Sequence, residues 1–429
     1  MLYFVAMTER AKKILLITLI LLSVLPAFTL AGSPKADWLY LSSLSGFIGT
    51  ALILWQYILG TRSITGLYFN ELPWVTRLHV LFGIWGSLFI FAHPIAATLL
   101  YGKSLTYSFV LDFSSGLESS ISYGRIAFLF IFFIWATSAL FRKFFSYRLW
   151  KYLHYLAYAS LPFVFFHAPR IGTSFVDQAA YAYWYSLVAV FAVFTVVRLR
   201  MFLSLGRAKY KVSKITKLNG HVVLLQLSPQ RSTLRIKPGQ YVYLRHSMIS
   251  ESHPFSVAHH NKRTGDIFVA FKVFGKYTNE LTKAERGASM YIDGPYGAFT
   301  EAVNTGQNQA TVFIAGGIGI TPFIMHLYNP AFKNKHLFYA NRQRNNANFV
   351  NNLRKELGQH LHEFYSDDSA NTSSYPRKIT VSEIQKHVTD WKNAQYFICG
   401  PTQMMKQLRE NLKTNGVKPS NIHIEEFSF

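Results

Sequence analysis

Four histidines, His79, His93, His154 and His167, are the only ones in the first half of this 429-residue chain, and all four stand on apolar stretches. Fourteen residues separate the first pair and thirteen the second, so a rise of about 1.5 Å per helical residue sets the members of each pair about 20 Å apart along an axis. Two such helices side by side would stack two bis-histidine sites, roughly one per leaflet, which is the ligation of a b-type haem. An imidazole in hydrocarbon is costly without a partner, and that makes an intramembrane histidine a functional candidate. Singly, each reads equally well as a hydrogen-bonded packing residue; the pairing is what favours metal.

At about 100° per residue, fourteen steps end about 40° short of whole turns and keep His79 and His93 on one face. Thirteen steps end about 140° short and turn His167 away from the face of His154. Pro162 lies between them, and proline removes a ladder bond and kinks a helix. The sequence therefore predicts irregular helix geometry over residues 158–162.

Holding such pairs takes membrane-spanning helices. Residues 14–31, 38–60, 78–100, 121–141, 149–168 and 180–199 each approach the roughly 20 apolar residues that cross a bilayer. A signal sequence is an alternative for the first, given small residues over 27–31, although its apolar run is long for one. Arg10, Lys12 and Lys13 precede the first span, Arg62 and Arg77 flank the second loop, and Arg142, Lys143, Arg148 and Lys151 crowd the fourth. The other loops carry little beyond Lys35, Lys103 and Arg170. By the positive-inside rule the soluble half is cytoplasmic, with His79 and His154 inward and His93 and His167 outward, in an inner-membrane protein.

The formal net charge of +23 raises nucleic-acid binding, but many basic residues are topological signals or follow the last span, from Arg198 through Arg207 to Lys217, where anionic lipid attracts them. No zinc-finger spacing or RNA-binding signature accompanies them. The single cysteine, Cys399, excludes an internal disulfide and any multi-cysteine metal site. The expected partners are the bilayer and a small-molecule electron acceptor, without nucleic acid; the oligomeric state is left open.

After Arg200 the texture changes. Residues 221–227, 240–245, 255–259 and 267–274 alternate like strands of a small antiparallel barrel. Residues 311–315, 337–340, 396–399 and 422–425 are strands alternating with helical patterns, a parallel α/β sheet with its ligand at the carboxyl ends. The run Gly316, Gly317, Ile318, Gly319, Ile320, Thr321, Pro322 directly follows a strand, and Cys399, Gly400, Pro401 end another. Glycines let a phosphate approach the backbone, and a helix start offers free amides. A tight turn alone is the alternative.

With these runs in this order, the chain resembles the ferric reductase and NADPH oxidase superfamily over nearly its whole length. The resemblance implies a six-helix transmembrane haem domain over 1–204, a ferredoxin-reductase-like FAD-binding β-barrel over 205–304 and an NAD(P)H-binding α/β domain over 305–429. It implies that His253, Pro254, Phe255 and Ser256 form the flavin-binding run, the serine meeting the isoalloxazine, with Lys272, Gly275 and Thr278 near the pyrophosphate. Gly294, Pro295 and Gly297, with Gly316 to Pro322, resemble the nicotinamide nucleotide site. Cys399 would lie beside the nicotinamide and terminal Phe429 would cover the flavin. From the residues alone, Pro254 and Pro295 could simply mark strand ends, Cys399 could be an inert buried thiol and Phe429 a core aromatic.

The implied course is hydride from NAD(P)H to FAD, then single electrons to the inner and the outer haem and an external acceptor. Ferric chelates, oxygen, or a quinone or periplasmic partner all remain open, with Arg125 and Arg170 as candidate basic groups above the outer haem or propionate partners. Calcium gating within the chain is not expected, for want of an EF-hand loop. A haem sensor or ion-conducting subunit is the reading from a different class, and NAD(P)H oxidation separates it. Arg342 and Arg344 follow the second α/β strand, and an arginine fork suits a 2′-phosphate; with no acidic residue in that run, NADPH is expected over NADH.

Overall fold

The protein is described here by a computed structural model covering residues 9–32, 37–61, 65, 66, 68, 69, 72–203, 205, 207–247, 250–297, 299–303, 309–367 and 378–425. Phe429 lies outside the described residues, as does Arg62. The chain divides into two compact units, Met1–Arg200 and Met201–Phe429.

The first unit is helical: α1 (Glu9–Val24), α2 (Pro26–Leu30), α3 (Trp38–Leu59), α4 (Leu72–Leu100), α5 (Gly116–Trp135), α6 (Tyr147–His154), α7 (Ala157–Ile171) and α8 (Gln178–Phe202). Side-chain caps start several of them. Asp37 accepts from the amide of Tyr40 at 2.7 Å, Ser115 from Glu118 at 3.1 Å and Ser146 from Leu149 at 3.3 Å, which satisfies amides that a helix start leaves free. Among the described residues five helices are long and apolar enough to cross a membrane, over Arg10–Leu30, Trp38–Leu59, Trp74–Leu100, Gly116–Leu140 and Gln178–Phe202. Their inward faces, joined by Leu161 of α7, form one core with Phe47, Leu52, Ile90, Ala127, Trp184 and neighbours. Val80, Leu81, Ile84, Trp85 and Leu88 point outward on α4, as a helix solvated by lipid requires.

The fifth expected span is not one continuous helix. Residues 149–168 are two helices, α6 and α7, parted at Tyr155 and Leu156. The amides of Tyr158 and Ala159 bond to the carbonyls of Tyr155 and Leu156, both at 3.0 Å, over three-residue steps. The irregularity expected over 158–162 thus lies earlier, and α7 runs on through Pro162. Tighter turns at 155–156 already supply the rotation between His154 and His167, so none is required at the proline.

The second unit holds a closed antiparallel barrel of order β1-β2-β5-β4-β3-β6 and a five-stranded parallel sheet of order β11-β10-β7-β8-β9. The barrel strands are β1 (Ala208–Lys217), β2 (Val222–Pro229), β3 (Tyr241–Arg245), β4 (His253–His260), β5 (Ile267–Lys272) and β6 (Ser289–Tyr296), with α9 (Gly275–Thr282) after β5. The sheet strands are β7 (Thr311–Gly316), β8 (Lys335–Asn341), β9 (Leu361–Tyr365), β10 (Gln395–Cys399) and β11 (Ile422–Glu425), with the helix α11 (Val350–Leu357) between β8 and β9. Sequence reading missed β1, β6 and β9. In β1, Tyr210 and Val212 point into the core while the lysines stay outside, so a strand read as a basic juxtamembrane tail. Strand order reverses at β7, with β8 and β9 on one side and β10 and β11 on the other. In open parallel sheets the ligand crevice opens at the carboxyl ends beside that reversal.

Candidate functional site

The four membrane histidines meet in the expected pairs. The ring centroids of His79 and His154 are 6.1 Å apart at an interplanar angle of 57°, and those of His93 and His167 are 6.1 Å apart at 88°. Two imidazoles bound to one metal ion at about 2.0–2.1 Å, each ring centre roughly 1.1 Å behind its bonding nitrogen, have centroids roughly 6.3 Å apart. The observed spacing fits that geometry.

The second nitrogen of each ring is spoken for. Nδ1 of His79 lies 2.9 Å from the carbonyl of Gln56, Nδ1 of His93 2.8 Å from that of Ser42, and Nδ1 of His167 2.9 Å from that of Ser120. A carbonyl only accepts, so Nδ1 carries the proton and Nε2 is left as the lone-pair ligand, the usual support for a metal-bound histidine. His154 is held differently, with Nδ1 3.4 Å from Oγ of Ser138, which also accepts from Nε1 of Trp150 at 3.1 Å. Among the described residues no group of three or more His, Cys, Asp or Glu side chains could hold a metal ion. Histidines in twos suit an ion whose other ligands come from a macrocycle. The carbonyl acceptors carry no signal in side-chain identity, and only the small residues opposite the rings, such as Gly46 and Gly124, could have hinted at them.

The flavin-type run lies on the barrel. His253 opens β4 and stacks on Tyr277 of α9 at 4.0 Å and 24°, while the Tyr277 hydroxyl donates to the carbonyl of Leu244 at 2.6 Å. Burial pushes the Tyr277 phenol up, which keeps it a neutral donor. Pro254 and Ser256 pair with Tyr243 and Tyr241 of β3; Phe255 and Ser256 are buried. Lys272 ends β5, and Gly275 starts α9 at a φ of 79°. Thr278 Oγ1 closes that turn, accepting from the amide of Phe274 at 2.7 Å and donating to its carbonyl at 2.6 Å. Gly294 and Pro295 lie in β6, and Gly297 follows against the Tyr241 ring. Phe299, two residues on, packs on Phe323 and Phe397 of the α/β part.

The two glycine-bearing turns of the sheet touch one another. A Cβ on Gly319 would stand 2.4 Å from the carbonyl oxygen of Cys399, and one on Gly316 would stand 2.5 Å from Pro401; only hydrogen fits at either place. The run forms 3-10 turns over Gly317–Phe323, with Thr321 and Pro322 buried, and continues as α10 (Ile324–Leu327). Met325 packs on the barrel core, so this turn stands where barrel and sheet adjoin. Gly400 sits between the turns, its Cβ position 2.9 Å from the backbone of Gly316.

Cys399 is fully buried, and burial pushes its thiol well up. It is paired with Glu425 on β11, whose carboxyl is pushed up to about 8 by removal from water. Arg342 and Arg344 are exposed beyond the carboxyl end of β8, Arg344 5.8 Å from the centre of the Tyr365 ring. The expectation of no acidic residue holds for the 341–344 run only. The amide of Asp367 bonds to the carbonyl of Arg342 at 2.9 Å, an acidic neighbour that only the pairing of β8 with β9 brings there.

Residues 45–166 match the family described as ferric reductase like transmembrane component, residues 207–321 an FAD-binding domain and residues 313–410 an oxidoreductase NAD-binding domain. The reductase component of propane 2-monooxygenase from Rhodococcus jostii is 26% identical over 235 residues, 51% of this chain and 63% of that protein. NADPH oxidase 4 of Rattus norvegicus is 29% identical over 138 residues, 27% of this chain and 23% of that one. Among solved structures, a flavohemoglobin from Malassezia yamatoensis aligns at a TM-score of 0.47 and 21% identity, over 79% of this chain and 93% of that one. The FAD/NAD-binding domain of a nitric oxide dioxygenase from Vibrio cholerae aligns at 0.46 and 20%, over 52% and 98%.

Proposed function

We propose, from the premise that this chain belongs to the ferric reductase and NADPH oxidase superfamily as an NAD(P)H oxidoreductase, that it carries electrons from cytosolic NADPH through FAD and two b-type haems to an acceptor outside an inner membrane, crossing six times. The observation that carries this reading is the double histidine pairing, two 6.1 Å contacts with Nδ1 of His79, His93 and His167 fixed on carbonyls.

When bound, the flavin supplies the change from hydride to single electrons and the haems supply a path across the low-dielectric layer. The protein's share is placement. His79 with His154, and His93 with His167, would each offer Nε2 to one shared metal ion. His253, backed by Tyr277 of α9, offers one aromatic face, and Lys272 and the free amides after Gly275 suit a pyrophosphate. The carboxyl edge of the sheet, above the touching turns Gly316 to Pro322 and Cys399 to Pro401, would take the nicotinamide nucleotide. Arg342 and Arg344 give it a cationic edge for the 2′-phosphate. Phe429 covers the flavin face in this reading.

Ferric chelates and oxygen are the acceptors this reading favours; a quinone or periplasmic partner is the alternative. Purified protein in detergent, supplied with FAD and NADPH, is assayed for superoxide in air and for ferric chelate reduction without oxygen. Either product supports the reading, oxidation of NADPH that needs added quinone supports the alternative, and no oxidation with any acceptor refutes both. Replacing His93 with alanine leaves one bis-histidine spectrum and abolishes external reduction while flavin reduction persists; two intact spectra would refute the pairing.

A further inference from the structure

Arg198 lies near the end of α8 among the basic residues that sequence alone assigns to lipid headgroups, yet its side chain turns inward. Nε donates to Thr61 Oγ1, NH1 to the Tyr158 hydroxyl and NH2 to the carbonyl of Tyr57 at 2.6 Å. The guanidinium is also stacked over the rings of Tyr57 at 4.3 Å and Tyr158 at 4.8 Å. It borders the inner histidine pair. A Cβ built on Gly60 would stand 3.2 Å from Cε1 of His79 and 3.3 Å from NH2 of Arg198, so the cation and the ligand ring face each other across a single missing methyl.

Its partners among the described residues are all neutral: a threonine hydroxyl, a tyrosine hydroxyl, a carbonyl and two aromatic faces. Near the outer pair the arrangement differs. Arg125 follows Gly124, which abuts the His167 ring, but Arg125 lies 3.9 Å from the Glu118 carboxylate besides donating to the carbonyl of Val110 at 2.5 Å. Among the described residues, one cation is offset by an anion and the other is not.

We infer that Arg198 is a positioning residue for the inner redox centre, a fixed and uncompensated charge that raises the reduction potential of the haem held by His79 and His154. An iron that loses one positive charge on reduction is disfavoured in its oxidised form by a nearby cation, and the low-dielectric surroundings preserve that interaction. The higher potential draws the electron from the flavin side. This inference rests on the two-haem reading above.

The test is a potentiometric titration, followed by haem absorbance, of the full chain in detergent. Arg198→Gln lowers the reduction equilibrium constant of one haem about tenfold, which is about 59 mV for a one-electron couple, and leaves the other in place. In the His93→Ala background the single remaining haem is the one that shifts. Arg198→Met, whose stem packs between the two tyrosine rings and itself needs no hydrogen-bond partner, gives the same shift; Arg198→Lys, which keeps the charge, stays near wild type. Loss of haem from both neutral variants with retention in the lysine variant also supports the inference. Unshifted potentials in Arg198→Gln or Arg198→Met, a fall in Arg198→Lys as large as in the neutral pair, or haem loss from all three would overturn it. A wild-type chain without any bis-histidine spectrum would instead remove the haem reading itself.

Discussion

Gly124 and His167 are packed with no room between them. A Cβ on Gly124 would stand 2.4 Å from both Cε1 and Nδ1 of the imidazole, and the same ring is tied by Nδ1 to the carbonyl of Ser120, one turn earlier on α5. Helix α5 thus fixes the ring of a residue on α7 twice, by a hydrogen bond and by a flat glycine wall. Gly124→Val should swing the ring off its axis and remove about half of the haem absorbance, the outer haem, while the inner one persists. Full haem content with unaltered spectra would show that the wall does not position the ligand.

Nucleotide choice is tested at the β8 edge. Arg342→Ala should raise the KM for NADPH about tenfold and that for NADH little, because a charge-assisted pair to the 2′-phosphate is worth roughly 1.5–3 kcal/mol. Asp367, bonded through its backbone to Arg342, opposes a phosphate, so Asp367→Asn should shift the preference further toward NADPH. An equal change for both nucleotides in Arg342→Ala would place the phosphate elsewhere.

Acid should loosen the outer edge of the sheet away from the nucleotide. His336 and His362 open β8 and β9 on one face, with Nδ1 of His336 3.5 Å from Nε2 of His362, and His387 stacks on His362 at 3.9 Å from the end of α12 (Val381–His387). Burial first, then the neighbouring imidazoles, hold His336 down to about 4 and His362 down to about 3. The unfolded chain takes up protons at an ordinary value near 6.5, so these two groups' stabilisation is full above that pH and is lost as pH falls toward 3 to 4. Hydrogen exchange in α12 measured from pH 7 to pH 5 should show declining protection, flattened by His362→Phe.

Alkali should act at the other edge. With its carboxyl raised to about 8 by removal from water, Glu425 binds its proton more tightly in the folded state than in the unfolded one. Its contribution is therefore complete below about 4.5 and is lost as pH rises through about 8. Protection of the β10–β11 amides should fall between pH 5 and 8 in the wild type and stay level in Glu425→Gln. A level wild-type profile would mean that the carboxyl is already ionised.

The identities of the four histidines, their matching depths and the glycine runs after β7 and β10 were legible in the sequence, because these chemistries demand rare residue types at fixed spacing. So were five of the six apolar spans, through run length, and most barrel strands, through hydrophobic period. What sequence could not place depends on contacts between distant segments. The break at Tyr155 and Leu156 is a choice between two ways of rotating His167, and the packed helices settle it. The carbonyls of Gln56, Ser42 and Ser120 are backbone atoms that every residue type possesses, so only folding reveals which ones face a ring. Arg198 shows the same limit most sharply: a basic residue near the end of a span reads as a topological signal, and only the packing of α3, α7 and α8 turns its charge inward beside His79.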